Sequence, residues 1–268
     1  CRKVLQKIEP ENTVNDLIGQ MEVEIEKDRN SAVGWRYLMQ PWLRTPLMIA
    51  VCIMFFQQFV GINTVIYYSP KIFLMAGFES TLSAIWASVG IGIVNVVFTV
   101  ISLYLVDRIG RRKLYFIGLS GIAFSVLCLS ACFIYANQLG EIGRWLMVIF
   151  MFGYVAFFAI SIGPLGWLVI SEIFPQKVRG LGTSIGSLAV WIFNCIVSFT
   201  FFKIIDFFSI PGTEIVVGQT TSENPAGAFF LYGFIAVLGL VWGYLFLPET
   251  KGLSLEEIEQ KWRKNREC

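Results

Sequence analysis

The sequence predicts an all-α membrane protein, a bundle of six transmembrane helices with cytoplasmic linker helices beside it. Three observations lead there. Of the 268 residues, 56% are hydrophobic and 15% charged, against roughly 25% charged in an ordinary soluble domain. Six apolar runs, at residues 46–76, 81–106, 113–136, 144–173, 180–205 and 226–247, each supply the roughly 20 residues that cross a hydrocarbon core of about 30 Å. The positive charge is also one-sided: of the 21 lysines and arginines, only Lys71, Arg144 and Lys203 fall on the far face of this topology. Positive flanks stay in the cytoplasm, so both ends are expected there, in a plasma or bacterial inner membrane.

Residues 1–45 are polar and mixed in charge, and MEVEIEKDRNSAVGWRYLM has helical apolar spacing, which predicts a surface-lying cytoplasmic linker. Nothing at the amino end has the pattern of a removable signal peptide. The chain opens on Cys1 rather than methionine, and is expected to be a piece of something longer. The bundle follows over 46–247, with turn signals at Gly77, Gly110, Gly140 and Pro211-Gly212 and a long outer loop at 206–225. Residues 248–268 form a tail that opens at Pro248, where Ser254 and Glu257 have capping-box spacing for a short helix.

Several function classes are excluded at this point. The chain has no histidine, and its six cysteines form no CxxC pair, so no metal site, cofactor or catalytic residue is expected. The spans hold no base or nucleophile cluster, which argues against an enzyme. The net charge of +2 is accounted for by the topology and needs no nucleic-acid partner.

The spans fall into two groups of three, and the opening span of each is interrupted: span one by Gly61, span four by Gly163-Pro164 and Gly166. Unwound backbone at membrane depth is tolerated only where protein or a wet cavity supplies hydrogen-bond partners, and paired breaks point to a transporter's binding site. Span one also carries Gln57, Gln58 and Asn63, although an unpartnered amide in hydrocarbon costs on the order of 2–7 kcal/mol. Gln57, Asn95 and Trp191 each lie about 11 residues from the estimated cytoplasmic span ends, roughly 16 Å deep and near the midplane. Amides suit hydroxyl groups, the Trp167 and Trp191 rings suit the C–H face of a sugar, and no charged residue stands at mid-span. The expected cargo is neutral and polyhydroxylated.

Some residues keep two readings. Asn95 serves either the cargo or an interhelical hydrogen bond. On an ideal helix Gln58 and Asn63 point about 140° apart, so both reach one ligand only if the break re-aims Asn63. Tyr67 and Tyr68 form either an outer aromatic belt or a gate. The loops DRIGRRK at 107–113 and EIFPQKVRG at 172–180 act either as topology signals or as a latch of ion pairs between Asp107, Glu172 and nearby arginines.

In that order and spacing, QQFVGINTVIYYSP, DRIGRRKL, GPLGWLVISEIFPQKVRG, WIFN and PETKG resemble the signatures of the sugar porter family of the major facilitator superfamily. The resemblance covers nearly the whole chain and corresponds to the family's second half, a bundle of 3+3 inverted repeats, with the six-helix first half lying outside this sequence. It implies monosaccharide transport by alternating access, as a uniporter or a proton symporter. Other readings are a membrane sugar sensor and a carrier of a polyol such as inositol. By resemblance, Gln57, Gln58, Asn63, Asn95, Phe158, Trp167, Trp191 and Asn194 are substrate-binding, Tyr67 and Tyr68 form the outer gate, and Asp107, Arg108, Arg111, Arg112, Glu172 and Arg179 form a cytoplasmic charge cluster. The chain departs from the family at Val190, where many relatives have an amide, at Ala159, where animal facilitators have a glutamate, and at Gly166, where many have proline.

Overall fold

The computed structural model describes residues 18–19, 38–78, 80–209, 215–217, 220–252 and 257. The linker predicted over residues 1–45, apart from residues 18–19 and 38–45, and the capping-box residue Ser254 lie outside the described residues. After a 3-10 turn at Pro41–Leu43, span one is formed by α1 (Arg44–Phe59) and α2 (Ile62–Met75). Spans two and three are α3 (Thr81–Ile109) and α4 (Arg111–Ile134). Span four is α5 (Ala136–Ile160) and α6 (Ile162–Ile173), span five is α7 (Gln176–Phe207), and span six is α8 (Ala226–Phe246). All six are long and apolar enough to cross a membrane.

Each turn has a local cause. Ser80 caps α3 by accepting from the Leu82 and Ser83 N–H groups, satisfying donors that the first helical turn leaves free. Gly110 separates α3 from α4 at φ 96°, and Gly140 puts a kink inside α5 at φ 54°, ψ −128°. Within the outer loop read over 206–225, β1 (Ile215–Val217) pairs antiparallel with β2 (Thr220–Ser222), Ile215 opposite Ser222. The β-branched run IVV-GQ-TT explains this small hairpin, since such residues favour extended backbone.

The core is organised around α4, which packs most extensively on α8 and on α5. Lipid gives apolar helices no reason to associate through hydrophobicity alone, so close approach and polar contacts decide the packing. Gly121 faces the Phe157 ring and Gly239 faces Leu119 and Phe56, which lets the backbones approach. The Tyr115 hydroxyl donates to the Gly239 carbonyl at 2.9 Å and Ser130 Oγ donates to the Ala226 carbonyl at 2.8 Å. On the other side α7 lies on α1, α3 lies on α5 and α2, and α1 meets α6. The two interrupted spans therefore touch at their breaks. By contrast, only 11% of the most apolar stretch of α3 is buried, leaving that helix with a broad apolar surface.

Candidate functional site

The site is built on the two breaks. Gly61 takes φ 87°, ψ 15°, a left-handed conformation open to glycine at little cost. The Thr64 and Val65 N–H groups both bond to the Gly61 carbonyl, so the Val60 carbonyl drops out of the helical ladder. The buried Tyr154 hydroxyl of α5 donates to it at 2.8 Å. Thr64 Oγ1 donates to the Gly61 carbonyl at 2.7 Å, and the Tyr232 ring of α8 lies against the glycine where a side chain would otherwise stand. The second break falls at Ser161, φ −128°, ψ −103°, whose hydroxyl donates to the Phe157 carbonyl at 2.6 Å.

Between the breaks lies a cavity of about 340 Å³, at the small end of the roughly 300–1,000 Å³ usual for small-molecule pockets. Span one contributes Gln57, Gln58, Ile62 and Asn63, span two Asn95 and Thr99, and span four Phe158, Ala159, Gly163, Pro164 and Trp167, with Val190 from α7. Asn63 and Gln58, set apart by an ideal helix, are brought together by the break: Asn63 Nδ2 donates to Gln58 Oε1 at 2.6 Å. A chain of amides extends both ways from this pair. Gln58 Nε2 donates to Gln57 Oε1 at 3.2 Å, and Gln57 Nε2 donates to the Ile162 and Gly163 carbonyls at 3.2 and 2.7 Å. In the outward direction Asn63 Nδ2 also donates to Asn194 Oδ1 at 3.1 Å, and Asn194 Nδ2 donates to the Tyr67 hydroxyl at 3.3 Å. The Asn95 side-chain amide makes no hydrogen bond among the described residues and lines the open space.

Two candidates stand outside the cavity lining. Asn194, mostly buried, joins through Asn63, while Trp191 is 66% exposed. Tyr67 is 53% exposed, whereas Tyr68 is half-buried, stacked on Phe201 with centroids 5.5 Å apart. Sequence reasoning missed Thr99, one helical turn beyond Asn95, a spacing that would have found it. It also missed Tyr154 and Tyr232, for which no sequence signal exists.

At the cytoplasmic end Arg111 Nη2 lies 2.8 Å from Glu172 Oε1 and 3.5 Å from Asp107 Oδ1. Glu172 Oε2 accepts from Thr250 Oγ1 at 2.6 Å. Glu249, absent from the sequence-based cluster, accepts from the Arg111 and Arg112 N–H groups at 3.1 and 3.2 Å and so places a carboxylate on the positive end of α4. Arg112 Nη2 turns to the Tyr244 carbonyl at 2.8 Å, and Arg108 lies over the Tyr104 ring. Arg179 keeps Nε and Nη2 buried without a hydrogen-bond partner. Glu172 is therefore joined to Arg111 across the loops rather than to Arg179.

Comparison with known proteins bears on this geometry. The family described as "Sugar (and other) transporter" matches residues 1–262. The chain is 38% identical over 229 residues to a glucose transporter, GlcP, of Staphylococcus epidermidis, covering 85% of this chain and 47% of that protein. It is 35% identical over 241 residues to the D-xylose-proton symporter of Escherichia coli K12, covering 90% of this chain and 46% of the relative. The structure of the proton:xylose symporter XylE bound to 6-bromo-6-deoxy-D-glucose superposes with a TM-score of 0.73 at 32% identity, over 97% of this chain and 51% of that one. The chain thus spans about half the length of the relatives it matches.

Proposed function

The chain belongs to the sugar (and other) transporter family, and on that premise we propose that it forms the sugar-holding half of a monosaccharide carrier working by alternating access. The observation that carries this reading is the cavity where the two broken spans meet, furnished with Gln58, Asn63 and Asn95 amides and the Trp167 ring and free of charged side chains. Uncharged groups that both donate and accept replace the water around sugar hydroxyls. A flat ring covers the apolar face of the pyranose. A second six-helix half, packed on the exposed apolar surface and closing over the site, completes the carrier. Tyr67 and Tyr68 gate the outer side, with Trp191 and Asn194 flanking the sugar. The Asp107, Arg108, Arg111, Arg112, Glu172 and Arg179 cluster acts as a cytoplasmic latch, because ion pairs present in one conformation and broken in the other shift the balance between them. Both ends of the bundle face the cytoplasm of a cell membrane. Relatives named as proton symporters favour proton coupling over uniport.

The test is uptake of labelled glucose and xylose into vesicles holding the whole protein that carries this chain, with and without a pH gradient. Saturable uptake is expected, with Gln58→Ala weakening apparent affinity by about tenfold, one lost hydrogen bond to a neutral ligand being worth about 1.4 kcal/mol. Unchanged uptake in Gln58→Ala and Asn63→Ala proteins would overturn the site. Sugar binding without flux would favour a sensor.

A further inference from the structure

The hydrogen-bonding groups of the cavity are gathered on two of its spans. Gln57, Gln58 and Asn63 reach it from span one, and Asn95 and Thr99 from span two. A primary amide has two N–H donors and one oxygen with two lone pairs, and capacity remains after the bonds within the protein are made. Gln57 keeps one lone pair, and Gln58 keeps one N–H and one lone pair. Asn63 keeps its oxygen. Thr99 Oγ1 gives its proton to the Asn95 carbonyl at 2.7 Å and can still accept, while the Asn95 side chain keeps every donor and acceptor among the described residues.

The part of the wall supplied by spans four and five is different. Its side chains are Phe158, Ala159, Pro164, Trp167 and Val190, and among the described residues Trp167 alone of these carries a polar side-chain atom. Pro164 has no N–H. The Phe158 carbonyl accepts from the Ser161 N–H group and the Gly163 carbonyl from Gln57. Asn194, the amide of span five, accepts from Asn63 and Ser198 and donates to Tyr67, outside the lining. A hydroxyl pressed against Val190 or Ala159 gives up its water and meets no partner, which weakens binding by about tenfold.

An aldopyranose fits this division. With one face on the Trp167 ring, its hydroxyls run in a row from C1 to C4, and the C5 edge carries hydrogen in a pentose, methyl in a 6-deoxyhexose and hydroxymethyl in a hexose. We propose that the cargo lies with its C1–C4 hydroxyls on the groups of spans one and two and its C5 edge on Phe158, Ala159 and Val190, so that the site selects a 6-deoxyhexose or a pentose over the parent hexose. The proposal rests on the sugar-carrier reading and names the substrate class of that same site. Val190 and Ala159 determine specificity by offering the C6 hydroxyl no partner.

The experiment is calorimetric titration of the whole protein that carries this chain with three sugars, D-glucose, 6-deoxy-D-glucose and D-xylose. The first two differ by a single oxygen, and 6-deoxy-D-glucose is expected to bind about tenfold tighter. D-xylose is expected between them, about fourfold weaker than 6-deoxy-D-glucose, the worth of one methyl group against an apolar wall. Val190→Thr keeps the shape of the side chain and adds a hydroxyl, and should bring the preference for 6-deoxy-D-glucose over D-glucose down to about twofold. If that variant fails to fold, Ala159→Ser reads the same change on the neighbouring part of the wall. D-glucose binding as tightly as 6-deoxy-D-glucose, or tighter, overturns the proposal while leaving the carrier reading in place. An unchanged preference in the variants removes the wall as its cause and overturns the proposal too. Binding of none of the three sugars by the unmodified protein refutes the carrier reading and the proposal with it.

Discussion

Replacing Tyr154 with phenylalanine isolates what holds the first break open. The ring is fully buried and its hydroxyl donates to the Val60 carbonyl at 2.8 Å. That carbonyl has lost its helical partner, because the Thr64 N–H group has shifted to the Gly61 carbonyl. Phenylalanine keeps the packing and creates no sizeable cavity, so the cost reduces to one buried carbonyl left without a donor, about 1–3 kcal/mol. Tyr232→Phe provides an internal comparison. Its hydroxyl stands 3.5 Å from Thr64 Oγ1, at the edge of hydrogen-bond range, and should cost less than about 0.5 kcal/mol. Unfolding of the purified protein in mixed micelles gives both stabilities, and hydrogen exchange over residues 60–65 shows whether the loss is local to the break. Equal stabilities for the two variants, or no change in exchange for Tyr154→Phe, would refute the reasoning that the break needs an outside donor.

Gly61→Ala should be worse than either tyrosine change, since a left-handed alanine costs about 1–2 kcal/mol and its Cβ meets the Tyr232 ring. In a double-mutant cycle with Tyr232→Ala, the cost of Gly61→Ala should be smaller in the Tyr232→Ala background than in wild type, and an unchanged cost would show that the ring is not the obstacle. Glu249→Ala removes the acceptor for two N–H groups at the start of α4 and should cost about 0.5–2 kcal/mol in thermal unfolding, as for other helix caps. Glu249→Gln, which keeps an acceptor without the charge, should fall between Glu249→Ala and wild type, and its matching Glu249→Ala would count against the cap.

The number of spans, the side on which arginine gathers, the break at Gly61 and the amides of span one follow from the sequence alone, while span four breaks at Ser161, ahead of the Gly163-Pro164 and Gly166 that the sequence pointed to and that lie within α6. These follow because they depend on one-dimensional quantities: the length of an apolar run, the charge at its ends, a glycine or proline within it, and the cost of an amide in hydrocarbon. The tertiary structure decided where each side chain points. Rotation of a helix about its axis, and the φ, ψ values of a break, are set by the neighbours that pack against it, and no periodicity in a membrane span fixes them when every face is apolar. Thus only the fold brings Asn63 within 2.6 Å of Gln58, ties Gln57 to the Gly163 carbonyl of α6 at the cavity's edge, and joins Glu172 to Arg111 instead of Arg179. Tyr154 and Tyr232 show the same limit from the other direction, since each looks like one more aromatic in an apolar run until the backbone it supports is placed beside it.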